Sequence, residues 1–278
     1  MSHSLEMMLS RLDLVVLWWC LVAAVVAFVR PLEAAPRRHV LGGASVLGLT
    51  ALATTWLPAT AAGDVVRTLL PALFVLGAYW TAAGYVVAPD TRLEARLLAI
   101  DHWALDALRL PHRLTTGPRW VLEGLEAAYL SVYALLPLGA WAAWAHGRAV
   151  AVDRYWTVVF LAEASCYLAL AWLPTRPPRD LEPWAAALRT RSTFRHANET
   201  VLTHGSHRMN TIPSGHAAGA VAVAVSLAWL HVPLAPLFAV AALAICVATV
   251  VGRYHFLVDT LAGALVALAW WWVVSASL

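Results

Sequence analysis

The sequence contains no lysine, and only 13% of its 278 residues are charged. Because soluble globular domains contain about 25% charged residues, this scarcity of charge excludes an ordinary soluble fold. Apolar residues make up 61% of the chain. A composition of this kind predicts a protein that crosses a membrane several times.

Cysteine is also scarce. The three cysteines, Cys20, Cys166 and Cys246, are far apart and all lie in apolar stretches. Their spacing matches neither a zinc site nor a disulfide framework, so we interpret them as small hydrophobic residues. Arginines and aromatic residues do not alternate in any basic patch, and nothing in the sequence therefore indicates binding to nucleic acid.

Eight apolar segments follow one another along the chain, and most approach the length of about 20 residues that a helix needs to cross the hydrocarbon layer. The segments are residues 14–29, 40–57, 69–87, 120–145, 155–173, 212–231, 233–252 and 256–276. The sequence therefore predicts an all-α fold, a polytopic membrane bundle of about eight transmembrane helices.

The linker at 88–119 has a different pattern. Leucines recur there near helical spacing with charged residues between them, which predicts one amphipathic helix lying on the membrane surface. Since no internal repeat or low-complexity segment is present, we treat residues 1–278 as a single membrane domain. Residues 1–87 would form accessory N-terminal spans, and residues 88–278 would form the core.

A short polar motif opens the sixth apolar segment. Pro213 precedes Ser214, Gly215 and His216, and proline is favoured at the first position of a helix. The N–H groups at a helix start lack partners within the helix and attract anions, phosphate above all. The motif therefore predicts an anion site, although a helix start with a capping serine is the simpler alternative.

A second polar group opens the eighth apolar segment. His255 and Asp259 are four residues apart, so on a helix they share a face and the carboxylate can hold the imidazole. Arg253 adds a fixed positive charge beside this histidine. A structural histidine–aspartate pair is the alternative. Two histidines, a helix start and an arginine together indicate chemistry on a phosphate ester.

These motifs carry a resemblance to a known family. P-S-G-H at 213–216, followed by R-x-H-x-x-x-D at 253–259, resembles the type 2 phosphatidic acid phosphatase (PAP2) superfamily, in the branch that includes inositol-phosphorylceramide-synthase-like proteins. P-x-R-P-P-R at 174–179 is similar to that branch's first motif. The resemblance covers approximately residues 101–264.

Two positions depart from the commonest pattern of the superfamily. Ala169 stands where the first motif usually begins with a lysine, and Thr249 stands where the third motif usually has its arginine. Both departures fit the synthase-like branch better than the broad phosphatase branch.

The resemblance implies roles for three catalytic residues. His255 would attack phosphorus and form a phosphohistidine, while Asp259 would fix the tautomer of its ring. His216 would protonate the departing alkoxide. The reaction would need neither a metal ion nor another cofactor.

The resemblance also implies a set of residues that bind the phosphate oxygens. Hydroxyl and backbone N–H groups would cradle them, and arginines would complete a charge clamp because the guanidinium matches phosphate geometry. These residues are Arg253, Ser214, Gly215, Arg176 and Arg179.

Three further residues are candidates for contacts with the headgroup of a substrate. Arg208 and Asn210 lie just before the P-S-G-H motif. Glu163 falls in the middle of the fifth apolar segment, where an ionisable residue is costly and by default functional or paired. A neutral carboxyl that is hydrogen-bonded to a neighbouring helix is the alternative for Glu163.

The function expected from the resemblance is hydrolysis of the phosphate ester of a membrane lipid. Transfer of a headgroup such as phosphoinositol to a hydroxylated lipid is the alternative, because cavity shape selects the acceptor. A transporter or scaffold without turnover is the alternative from another class of protein.

The distribution of arginines predicts the orientation in what we expect to be a bacterial cell membrane. With eight spans, Arg11, Arg67, Arg148 and Arg154 lie on one side, and the other fifteen of the nineteen arginines lie on the side of the motifs. The positive-inside rule then favours the cytoplasmic face for the active site.

Overall fold

The computed structural model describes residues 9–186, 188, 191–207, 209 and 212–277. All regular elements in this part of the chain are helical, which confirms the all-α prediction for the described residues. The α-helices are α1 Arg11–Val29, α2 Ala34–Ala53, α3 Ala61–Leu69, α4 Pro71–Ala82, α5 Thr91–Leu105, α6 Leu110–Thr116, α7 Arg119–Leu130, α8 Val132–Ala169, α9 Pro178–Leu181, α10 Pro183–Ala186, α11 Thr193–Gly205, α12 Gly215–Trp229, α13 Ala235–Val251 and α14 Leu257–Ala276.

The N-terminal helices pack against the later part of α8. The indole of Trp19 on α1 donates a hydrogen bond to the carbonyl of Ala164 on α8 at 3.0 Å, and Trp156 on α8 donates to the carbonyl of Thr68 on α3 at 2.8 Å. Buried side chains of α1, α2, α4, α8, α12, α13 and α14 form one continuous hydrophobic core. The accessory spans therefore share the core of the rest of the bundle.

Helix α8 reverses direction although its helical hydrogen bonding runs through 38 residues. The hydroxyl of Tyr155 donates to the carbonyl of Leu136, nineteen residues away, at 2.7 Å. In a straight helix these residues would lie about 28 Å apart, at a rise of about 1.5 Å per residue. The fourth and fifth apolar segments of the sequence therefore lie on two arms that pack against each other.

Several helices in the described part of the chain are long and apolar enough to cross a membrane. Three meet this requirement: Arg11–Val29, Ala61–Tyr85 and Leu257–Ala276. A fourth span is formed if Arg119–Leu130 and Val132–Gly147, which meet at 54°, cross together. Helices α12 and α13 are apolar but shorter. These helices are consistent with a membrane bundle, and the number of eight spans stays a prediction.

The predicted amphipathic segment is helical, and two carboxylates of α5 face the protein. Glu94 and Asp101 are 3% and 1% exposed, because Arg176 and Arg253 pair with them. These ion pairs hold α5 against the protein, while Trp103 on the same helix is 87% exposed. The position of this helix on the membrane surface stays a prediction.

Candidate active site

His216 and His255 come together at one end of the bundle. His216 is in the first turn of α12, and His255 immediately precedes Phe256, the residue that caps α14. The centroids of the two rings are 5.9 Å apart and their planes are inclined by 50°. Both imidazoles line the same cavity of about 90 Å³.

The two helix starts are joined directly, which explains why the histidines meet. The backbone N–H of Ser214 donates to the carbonyl of Asp259 at 2.9 Å. The hydroxyl of Ser214 accepts the N–H of Ala217 at 3.3 Å and so caps α12. Glycine is needed at position 263 of α14, because a Cβ there would lie 2.4 Å from the carbonyl oxygen of Ser214. The close approach of α12 and α14 thus positions both imidazoles.

Asp259 lies behind the ring of His255. Its Oδ2 atom is 3.6 Å from Nδ1 of the imidazole, and both side chains are buried. This distance is longer than a hydrogen bond, and the same oxygen accepts the N–H of Phe256 at 3.1 Å. Because Nδ1 faces the carboxylate, Nε2 lies on the opposite side of the ring.

The environment of His255 favours its neutral form. Burial lowers the pKa of His255 from 6.5 to about 3, and the positive charge of Arg179 acts in the same direction. A neutral imidazole carries a free lone pair, which is the form that a nucleophile requires.

This lowered pKa gives a pH prediction for the free protein. Between pH 6.5 and about 3 the unfolded chain binds a proton that folded His255 does not, so this residue's contribution to stability is complete above pH 6.5 and is lost as the pH falls. We expect the imidazole resonances of His255 to report a neutral ring down to about pH 5, where an ordinary histidine is protonated. NMR of ¹⁵N-histidine-labelled protein, assigned with a His255→Gln variant, measures this. Titration near pH 6.5 would contradict the prediction.

Arg179 is the arginine of the first motif that reaches the cavity. It lies in α9 and lines the same space as the two histidines. Its backbone N–H donates to the carbonyl of Arg253 at 2.9 Å, and its guanidinium carbon lies 5.1 Å from the ring centroid of Tyr254. This arrangement holds a positive charge beside the imidazoles.

Arg253 and Arg176 do not join the histidine cavity, in contrast to the expected charge clamp. The guanidinium of Arg253 is buried between Asp101 at 2.6 Å and Glu182 at 2.5 Å. Arg176 pairs with Glu94 at 2.7 Å. Each arginine has a carboxylate partner outside the motifs, and these ion pairs direct the two side chains away from the cavity.

Of the candidate headgroup residues, Glu163 is described, and it lies behind the wall of the cavity. Glu163 is buried and accepts a hydrogen bond from the hydroxyl of Tyr167, which does line the cavity. A Cβ at Gly219 would lie 1.7 Å from Oε1 of Glu163, so a glycine in α12 leaves room for this carboxyl. Arg208 and Asn210 lie outside the described residues.

The cavity wall is rich in tyrosine, which the sequence motifs do not predict. Five tyrosines line it: Tyr79, Tyr129, Tyr133, Tyr167 and Tyr254. The spacing of four between Tyr129 and Tyr133, and the position of Tyr254 beside His255, are the signals that the sequence offered. No comparable signal marks Tyr79. It comes from α4, in the region expected to be accessory, and its hydroxyl lies 2.8 Å from Oγ of Ser206.

The described side chains contain no group of three or more histidine, cysteine, aspartate or glutamate residues arranged to hold a metal ion. The groups that the cavity does contain are two imidazoles, one of them backed by a carboxylate, an arginine and a helix N-terminus. Positive charge, a neutral ring nitrogen and a helix N-terminus suit the transfer of a phosphoryl group.

Comparison with protein families agrees with this class of site. The family model of the PAP2 superfamily matches residues 95–273, and the chain belongs to this superfamily. Membership supports an enzyme with phosphatase or phosphotransferase activity. The narrower assignment to the synthase-like branch stays a prediction. Comparisons with curated proteins and with solved structures found no match.

Proposed function

We propose that this protein hydrolyses the phosphate ester of a membrane lipid through a phosphohistidine on His255. The observation that carries the proposal is the meeting of His216 and His255, 5.9 Å apart, at one cavity. Nucleophilic displacement at phosphorus needs an attacking group on one side and a proton donor near the leaving oxygen. Two imidazoles at this separation can flank a single phosphoryl group.

In the first step, Nε2 of His255 attacks phosphorus and the ester P–O bond breaks. The electron pair of that bond passes to the ester oxygen, which takes a proton from His216 and leaves as the lipid alcohol. In the second step His216 accepts a proton from water, and the water oxygen attacks phosphorus. The P–N bond then breaks, its electron pair returns to His255, and orthophosphate is released.

The charges around the cavity support the binding of a phosphate group. Arg179 supplies a guanidinium, and the first N–H groups of α12 add the positive end of a helix dipole. A bound phosphate in turn favours the protonated form of His216, which the first step requires. In this proposal Ser214 contributes by capping α12, and Gly215 contributes its backbone. A Cβ at Gly215 would lie 2.7 Å from the ring of Tyr167.

Hydrolysis is proposed ahead of headgroup transfer because it is the simpler reaction: it needs no second lipid beside the phosphoryl group. Transfer to a hydroxylated lipid remains the second candidate, supported by the resemblance of the first and third motifs to the synthase-like branch.

The proposal is tested by assaying the full chain in detergent with phosphatidate, polyprenyl phosphate, phosphatidylinositol and phosphatidylcholine. We expect orthophosphate and the lipid alcohol from the two phosphomonoesters, phosphatidate and polyprenyl phosphate, at rates that a chelator does not change. Mass spectrometry with an added hydroxylated lipid identifies the acceptor. Transfer of an intact headgroup would favour the phosphotransferase, and absence of turnover with every substrate would favour a transporter or scaffold.

We also propose that the bundle spans the membrane eight times and that the cavity opens on the cytoplasmic face. The excess of arginines on the side of the motifs supports this orientation. In the same phosphate-release assay with a water-soluble phosphomonoester, inverted membrane vesicles should be active and sealed right-side-out cells inactive. The opposite result would place the cavity on the outer face.

A further inference from the structure

The ring of His216 is the end of a stack of three aromatic rings. Tyr129 lies parallel to it, with centroids 4.7 Å apart and planes inclined by 7°. The ring of Tyr254 lies 3.6 Å from that of Tyr129 and is inclined by 10°. The two neighbouring rings occupy the two faces of the Tyr129 ring, which is therefore held between Tyr254 and His216.

The far end of this stack is fixed by a buried network of polar groups. The hydroxyl of Tyr254 donates to the carboxylate of Glu126. The same carboxylate accepts hydrogen bonds from Arg195 at 3.0 Å and from Asn198 at 2.8 Å. Glu126, Arg195 and Asn198 are each at most 1% exposed. The ring of Tyr254 cannot shift without breaking a bond to a buried charge.

A second tyrosine packs against the imidazole of His216 from another direction. Tyr133 meets His216 edge to face, with centroids 5.8 Å apart and planes inclined by 82°. Tyr129 is near the end of α7 and Tyr133 is near the start of α8. Together they restrict the plane in which His216 can present a proton.

We propose that Tyr129 is a positioning residue that aligns His216 for proton transfer to the leaving oxygen. The proposal rests on the function proposed above for the same cavity. Stacking fixes the ring plane, and the negative face of the phenol ring stabilises the imidazolium form of His216. Tyr129 therefore acts on the departure of the alcohol and not on the attack by His255.

The test compares two leaving groups in Tyr129→Leu and Tyr129→Phe variants of the full chain. The rate compared is that of the first step alone, measured as release of the alcohol in a single turnover with excess protein. For an alkyl phosphate, whose alkoxide needs a proton, we expect Tyr129→Leu to lower this rate by about 10²-fold, the lower end of general acid catalysis. For p-nitrophenyl phosphate, whose leaving group departs without a proton, the loss in this step should stay below about 3-fold by the same reasoning. Tyr129→Phe retains the ring and should keep both rates.

Three further variants make the result interpretable. His216→Gln should show the same selective loss with the alkyl phosphate. Tyr254→Phe retains the stack but loses the bond to Glu126, and should show a smaller loss of the same kind. This variant also tests the proposal if Tyr129→Leu does not fold. Tyr85→Leu removes a buried tyrosine that bonds to Ala23 away from the cavity, and any loss there should be equal for both substrates.

If His216→Gln shows the selective loss, then equal losses with both substrates in Tyr129→Leu, or no loss at all, would overturn the positioning role of Tyr129. A wild-type protein that cleaves neither substrate nor any lipid phosphate would instead overturn the proposed function. The two failures are therefore distinguishable.

Discussion

Replacing His255 with alanine is expected to reduce phosphate release by about 10⁴-fold or more, which is the scale of losing a nucleophile that forms a covalent intermediate. The reason is positional as well as chemical. Nδ1 of His255 faces Asp259, which leaves Nε2 as the nitrogen available for attack on phosphorus. His216 would not replace it, because its ring lies against Tyr129 and in our proposal it protonates the leaving oxygen.

The measurement is single-turnover reaction with ³²P-labelled substrate, quenched in alkali to preserve phosphohistidine. Wild-type protein should carry label, and the His255→Ala variant should carry none. His204→Ala is a matched control, since His204 is an exposed histidine of α11 and its loss should leave the rate unchanged. Label that persists without His255 would show that another group attacks phosphorus.

The meeting of the two histidines was predictable from the sequence, and the reason is local. Each lies at the start of an apolar helix within a short motif, so the same residues that begin the helix also place the imidazole. The bond between Ser214 and Asp259 joins two residues of these motifs. Each motif thus contains a helix start and also one of the two residues whose bond joins the helix starts. The meeting of the histidines can therefore be predicted from the motifs without knowledge of the rest of the fold.

The roles of the arginines were not predictable in this way. Arg176 and Arg253 belong to motifs, but their partners Glu94 and Asp101 are 82 and 152 residues distant in the sequence. An arginine beside a catalytic histidine has the same sequence pattern whether it binds phosphate or a buried carboxylate. The position of α5 decides whether such an arginine meets a carboxylate or is free to bind phosphate. Because that position depends on the ion pairs themselves, the sequence pattern alone does not predict it.

The contribution of α4 was missed for a related reason. Tyr79 lies before the region matched by the superfamily, which begins at residue 95, and it sits within an apolar segment without a polar motif. Its ring nevertheless contacts Tyr167 edge to face at 5.3 Å and stacks on His207 at 4.4 Å. Helix α4 thus contributes to the wall of the cavity.

Replacing Arg195 with alanine is expected to lower the free energy of unfolding by about 3–5 kcal/mol, because it leaves the buried carboxylate of Glu126 without its charged partner. The side chains of Arg195 and Glu126 are 1% and 0% exposed. Arg195 also donates to the carbonyl of Gly252 at 2.7 Å and lies 4.9 Å from the ring of Tyr254. Its loss should therefore loosen the segment that carries His255.

The matched control is Arg119→Ala, which removes an arginine whose side chain is 65% exposed and pairs with Glu123 at 3.1 Å. Exposed pairs contribute only about 0–1 kcal/mol because water screens them. Chemical unfolding of both variants in the same detergent measures the difference. Equal, small effects would mean that water reaches Glu126, and the anchor of the tyrosine stack would then be weaker than its burial indicates. A large effect confined to Arg195→Ala would show that this buried ion pair, unlike the exposed pair of Arg119, stabilises the fold around Glu126 and Tyr254.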